Sequence, residues 1–314
     1  MTILDYTTDA TLKEYQQRYP LLGVTKTQLN QVIEQWWAEN IGVPPVAPDQ
    51  WPDELVQHLG VRFGKLHEIM QIFDDSYKLS NDEVENCALL IVNTKDLIPA
   101  LRSVFPIASD TDCDNMPQVQ QLRLIVQGDQ LYLAATNRVV HITHRVLVDY
   151  KSYQRDITVG FGHDDMHVFN TYVTKSIGRG KKIVLLITPR RVIVKSFTNH
   201  RNHKDFQCTS RAWVPGLIDR MQQIWQLADP SRPATPVSFN PNVIKHVKDV
   251  MVLTMSPDSS HVLFTTVDGL CFGIIPGGRN NVRPTLALPE KNCPQFFHHL
   301  DTTTIQGDDT NADE

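Results

Sequence analysis

Two histidines one helical turn apart are the residues of this chain whose spacing most suggests chemistry. His163-Asp164-Asp165-Met166-His167 sets both imidazoles at i,i+4 with carboxylates between them, a spacing that can hold a divalent metal on one face of a helix. Spacing fixes no third ligand, and Asp at a helix start is an ordinary cap, so no metal is expected. His141 and His144 lie at odd separation on a strand, point to opposite faces, and cannot easily share an ion. Gly178-Arg-Gly-Lys-Lys has a phosphate-binding composition without the Walker spacing. There is no G-x-S-x-G and no cysteine with a locally marked partner. The expected answer is no catalytic residue, no cofactor and no enzyme.

Charge is more informative. The formal net charge of -5 hides an asymmetry: residues 1–90 carry 14 acidic and 6 basic residues, whereas residues 136–220 carry 15 basic and 6 acidic. A basic middle within an acidic protein points to a surface that faces a polyanion. Three segments expected to be helical carry cations one or two turns apart: Lys95 and Arg102, Lys175 and Arg179 at i,i+4, and Lys245 and Lys248 at i,i+3. These six are the candidate phosphate contacts, and such contacts carry no sequence specificity.

The elements that must position them follow from periodicity. Residues 1–80 read as helical: Ala10–Arg18, then Thr25–Glu39 with Leu29, Ile33 and Trp36 on one face, a Pro-rich linker over 41–52, then Asp53–Gly60 and Lys65–Phe73. The last two, around a Gly60-Val61 turn, have the outline of a helix-turn-helix. The segment is acidic and has few Arg or Lys for phosphate contacts, so a small packing or docking element is expected. Trp36 and Trp37 are expected in the core.

Cys87–Asn93 reads as a buried strand, and the helix Thr94–Val104 follows with Leu97, Ala100, Leu101 and Val104 on one stripe. Three β-type runs within Gln121–Val148 form an antiparallel meander. A second unit has a strand at Asp156–Phe161 and a helix at Asp165–Ile177, with Val168, Tyr172 and Val173 as its apolar stripe. Strands Ile183–Thr188, Arg191–Phe197 and Asp205–Ser210 complete it. After a connecting helix at Leu217–Leu227, a third unit has the strand Val237–Phe239, the helix Pro241–Val250 and strands Val252–Met255, Val262–Thr266 and Cys271–Ile275. Helix-plus-strand units of this kind are an internal repeat. The expected fold is α+β, with helices on one face of curved antiparallel sheets. Its regions are helical residues 1–85, two half-domains over 86–211, a third over 212–285, and an acidic tail over 286–314 without fixed structure.

No apolar run reaches the ~20 residues needed to span a bilayer, and MTILDYTTDATLKEYQQ does not read as a secretory signal. Five widely spaced cysteines fit reduced thiols in the cytoplasm.

GDQLYLAATNRV preceded by LIPALRSV, then DFQCTSRAWVPGLIDRM, then VSFNPNVIKHVKDV followed by VDGLCFGIIPGG, occur in an order and spacing that resembles the bacterial DNA-polymerase sliding clamp (beta subunit) family over about Asn86–Arg279. Shortened clamp-like proteins of actinobacterial phages and mobile elements have a similar layout. The resemblance implies helix-plus-strand half-domains, duplex DNA and a DNA polymerase or other replication or repair protein as partners, and a homo-oligomer. It also implies an apolar pocket for partner peptides at Thr136, Val140, Pro215, Ile275 and Pro276, for which plain core is the competing account. Three half-domains are legible here where the family has six, and IIPGGR lacks the family's terminal residues. Three functions compete: a clamp-like DNA-associated factor, a clamp-derived peptide-binding adaptor that does not encircle DNA, and a metal-dependent hydrolase using His163 and His167. The first accounts for the basic rows and is the expectation taken forward.

Overall fold

A computed structural model describes residues 6–40, 48–108, 121–127, 130–137, 140–149, 156–196, 205–209, 237–238, 245, 247–255, 261–276 and 278–279. The fold is α+β, and its strands pair antiparallel. The chain forms two compact units, one of Met1–Leu101, Gln121–Ala134 and Arg145–Trp213, the other of Arg102–Gln120, Ala135–His144 and Val214–Glu314.

The first unit opens with α1 (Asp9–Arg18), α2 (Lys26–Asn40) and α3 (Asp53–Tyr77). Thr8 caps α1 by accepting the Thr11 N–H at 3.2 Å. The two helices expected between Asp53 and Phe73 are one helix of 25 residues, which removes the helix-turn-helix outline. Leu55, Leu59, Phe63, Leu66, Met70 and Phe73 form an unbroken buried stripe through Gly60. Each helical glycine costs about 1 kcal/mol relative to alanine, whereas burying a single Phe returns roughly 1.5–3 kcal/mol. The stripe therefore prevails over the glycine. Trp36 and Trp37 are buried, as expected. Lys78, in the left-handed region at φ 50°, ends α3, and α4 (Asn81–Glu85) starts with a capping box between Ser80 and Glu83.

A four-stranded sheet follows, in the order β1 (Ala88–Asn93), β6 (Lys182–Ile187), β7 (Arg191–Ser196), β8 (Phe206–Thr209). Leu89, Val184, Leu186 and Ile193 share one face and pack with Leu22, Leu29, Phe63, Met70 and Phe73 of the helical region in a single core. Residues 1–85 are thus built onto this sheet. Leu90, Val92, Leu185, Val192 and Val194, on the other face, are buried as well. A second antiparallel run has the order β5 (Ile157–Phe161), β2 (Leu122–Gln127), β3 (Gln130–Thr136). The expected units each kept their own strands. Here β1 precedes β2 in the chain yet pairs with β6, and β5 precedes β6 yet pairs with β2. Each unit lends its opening strand to the other.

Between β1 and β2 lies α5 (Thr94–Ala108), with Leu97, Ala100, Leu101 and Val104 buried as expected. Before β6 lie α6 (His163–Thr171) and a π-helical turn at Tyr172–Ile177. Their buried stripe is Met166, Phe169, Val173 and Ile177. Of the expected stripe, Val173 is buried and Tyr172 is half-buried and stacked on Phe206, but Val168 is 56% exposed. Phe169 decides the phase by packing against Phe161 and Phe206, with centroids 5.0 and 5.6 Å away.

The second unit contains an antiparallel run of β4 (His141–Val146), β12 (Cys271–Pro276), β11 (His261–Thr266) and β10 (Val250–Met255), and the short pair β9 (Val237–Ser238) with β13 (Gly278–Arg279). The helix expected at Pro241–Val250 does not reach its end: Asp249 has φ 53° and Val250 already opens β10. The expected helix at Leu217–Leu227 and the acidic tail lie outside the described residues. Among the described residues no helix is long and apolar enough to cross a membrane.

Two positions set the stability of these units. At Gly273 a Cβ would stand 2.2 Å from the His141 carbonyl oxygen and 2.7 Å from the Phe264 ring. Gly273→Ala should destabilise the second unit by about 3 kcal/mol through overpacking, read as a lowered urea midpoint. In the first unit Glu83, buried, receives the Arg191 Nε and Nη2 at 2.6 and 2.9 Å, with Thr188 and Ser80 also donating. Burial pushes its pKa up, but the Arg191 and Ser80 hydrogen bonds and the Arg191 charge together hold it down at about 2. Because the folded pKa lies below the unfolded one, this stability is present above about pH 4.5 and is lost as pH falls toward 2. Glu83→Gln should cost roughly 3–5 kcal/mol at pH 7 by leaving the guanidinium uncompensated, and should flatten denaturation midpoints over that acid range.

Candidate nucleic-acid interface

The candidate interface is built at the junction of β1 and α5. Asn93 ends β1 opposite Lys182 of β6, and its side chain accepts the Lys95 N–H at 2.9 Å, which caps α5. Thr94, fully buried, makes a reciprocal pair with the segment before β6. Its N–H donates to the Lys181 carbonyl at 2.8 Å, and its hydroxyl oxygen accepts the Lys181 N–H at 2.9 Å. The β1–β6 ladder is thereby extended by one step, and the turn carrying Arg179 and Lys181 is drawn beside Lys95. Gly178 and Gly180, at φ 78° and 79°, let that turn form.

Lys95, Arg102, Lys175, Arg179, Lys245 and Lys248 are all exposed. Lys95 and Arg102 lie two turns apart along α5, as expected. Lys175 and Arg179 are not helical neighbours. Lys175 sits in the π turn, where the Gly178 N–H bonds back five residues to the Val173 carbonyl at 3.2 Å, and Arg179 lies beyond the helix end. Nor do Lys245 and Lys248 share a helix, since Lys245 is in a turn and Lys248 lies just before Asp249 in non-helical backbone. Sequence reasoning passed over Lys181, which is exposed and reaches the edge through its own backbone. The doublet Lys181-Lys182 at the start of a strand was the available signal. Lys182 differs from its neighbour, being paired to Asp149 at 2.9 Å. Among the described residues Lys95, Lys175, Arg179 and Lys181 make no ion pair. Their charge is left to solvent or a ligand.

Other charged and polar candidates have different placements. Arg123 is 1% exposed, flanked across its neighbouring strands by Ala134 and by Gly160, which has no side chain. Burial brings its pKa down to about 10. His163 and His167 are exposed with ring centroids 4.6 Å apart, and His163 Nδ1 lies 3.5 Å from an Asp164 oxygen. Among the described residues no three His, Cys, Asp or Glu side chains are grouped to hold a metal. Of the pocket residues, Thr136, Val140 and Ile275 are buried. The pairing of His141 with Ile274 sets Val140 and Ile275 on adjacent strands. Pro215 lies outside the described residues, and of Pro276 only its backbone pairing with His261 is described.

No protein-family model matches this chain, and no curated protein sequence matches it. Solved structures similar to it include the beta subunit from DNA polymerase of Streptococcus pyogenes, at 15% identity and TM-score 0.45 over 66% of this chain and 70% of that one. The Helicobacter pylori beta clamp bound to DNA ligase peptide is similar at 11% identity and TM-score 0.42, over 65% and 70%. A DNA polymerase sliding clamp from Pseudomonas aeruginosa has 12% identity and TM-score 0.41, over 62% and 65%.

One buried base in the second unit makes its electrostatics testable. His144 is buried on β4 opposite Cys271, its Nδ1 has no hydrogen-bond partner among the described residues, and Asp268 is the charge that acts on it. Burial outweighs Asp268 and pulls the imidazole down to about 4. The unfolded chain binds this proton near pH 6.5, so stability present above that pH falls as pH drops toward 4. By pH 5 the loss should reach about 2 kcal/mol. His144→Phe should remove that segment of the pH profile, as followed by urea denaturation at pH 7 and pH 5.

Proposed function

We propose that this protein is a non-catalytic, clamp-like DNA-associated factor. It binds duplex DNA without sequence specificity and tethers a replication or repair protein, such as a DNA polymerase, to it. The observation that carries this reading is the edge formed by Lys95, Arg179 and Lys181, with Lys175 four residues before Arg179: exposed cations without ion pairs among the described residues, held by backbone hydrogen bonds between segments distant in the chain. Fixed backbone with free side-chain charge suits contact with phosphates, which position a duplex without reading its bases. Arg102 on α5 and Lys245 and Lys248 before β10 are given the same role. The acidic residues Glu14, Glu34, Glu68 and Asp75 belong to the helices that cover the Leu89 and Val184 face of the four-stranded sheet, so that covered face is not assigned to the polyanion. The partner class, assembly with further copies, and the peptide pocket at Thr136, Val140, Pro215, Ile275 and Pro276 follow the sequence resemblance.

The test is charge reversal of Lys95, Lys175, Arg179 and Lys181 to Glu, with fluorescence anisotropy on a labelled duplex across a salt series. Wild-type affinity should fall with log salt at about 0.9 per phosphate contact, so these four residues should contribute about -3 to -4 of the slope if each makes one contact. The variant should lose roughly two orders of magnitude at low salt and that share of the slope. Unchanged binding would remove the assignment and leave the adaptor reading, in which a partner peptide binds tightly and DNA weakly.

A further inference from the structure

We infer that Thr94, which is fully buried, is the positioning residue of this cationic edge; the inference rests on the duplex-binding reading above. Arg179 and Lys181 sit in a turn with glycine at 178 and 180, the residue type with the most backbone freedom to lose on ordering. On one side the turn is tied by the Gly178 N–H to the Val173 carbonyl. On the other its tie is Thr94, which uses both its N–H and its hydroxyl oxygen on Lys181, 87 residues away in sequence. Thr94 also opens α5, so the same residue fixes Lys95 on one side and Lys181 on the other. Two segments that would otherwise present their charges independently are thereby held in one arrangement before a polyanion arrives. Pre-organisation of this kind raises affinity by reducing the ordering cost on binding.

Thr94→Val keeps shape and β-branching but removes the oxygen that accepts the Lys181 N–H, whereas Thr94→Ser retains it. In the full-length chain, Thr94→Val should speed hydrogen exchange at the Lys181 amide and weaken duplex binding about tenfold. It should also flatten the salt slope by about 1–2, the equivalent of one or two phosphate contacts at about 0.9 each. Thr94→Ser should restore all three. In an Arg179→Met/Lys181→Met background, Thr94→Val should have no further effect on binding, because groups acting as one unit are not additive. A wild-type slope in Thr94→Val, or an undiminished effect in the double background, would overturn the positioning role while leaving duplex binding intact. Absence of salt-dependent duplex binding by the wild-type chain would instead overturn the proposed function, and the role of Thr94 with it.

Discussion

A single buried carboxylate determines how the first unit is assembled. Glu83 belongs to the N-terminal helical region, and the guanidinium that satisfies it belongs to the first residue of β7. The same guanidinium reaches the Lys78 carbonyl at 3.4 Å, where the chain leaves α3. A buried ion pair of this kind adds little net stability over apolar packing of the same volume. Its effect here is selective, because a docking that buried Glu83 without Arg191 would strand a carboxylate away from water. At the same end of α3, Tyr77 donates to Asp205 at 2.9 Å, Asp205 also pairs with Lys195, and the Lys195 ammonium lies 5.8 Å from the Phe73 ring centroid. Apolar contact supplies the attraction between helices and sheet, and these polar groups supply the register.

That docking gives the four-stranded sheet two different faces. One is closed by helices whose outer surface is rich in carboxylates. The edge running from β1 into α5 carries cations instead. Net charge alone, at -5, describes neither surface. The local balance is what governs approach of a charged ligand.

Much of this was legible in the residues. The runs Leu122–Gln127 and Arg191–Ser196 gave strands within a residue or two of those observed, because short runs rich in apolar and β-branched residues favour a strand even where, as here, both faces are largely buried. Local signals failed where packing outvoted them. Gly60 looked like a break, yet the stripe from Leu55 to Phe73 carries the helix through it. Val168 looked apolar enough to be core, yet Phe169 had the aromatic neighbours. For the candidate site, residue types were readable but not their neighbours. Lys175 and Arg179 were paired on a helix that ends between them, whereas the relation of Lys95 to Lys181 depends on a hydrogen-bond pair spanning 87 residues. No window of sequence contains both ends of it.

The exchange of opening strands has a consequence for how the chain is made. On a ribosome, β1 emerges with its helices while its partner β6 is still unsynthesised, since Ala88 finds Ile187 and Leu89 finds Leu186 only about a hundred residues later. At ~5–20 residues per second that is a wait of roughly 5–20 s. Through that interval one face of the helical region and both edges of a strongly apolar strand stand open, the condition in which nascent chains aggregate or recruit chaperones. The strands β10 and β11 pair with the next strand in the chain and face no such delay, whereas β4 waits for β12 from His144 to Cys271. The helical region and β1 therefore depend for their closure on a strand made about a hundred residues later.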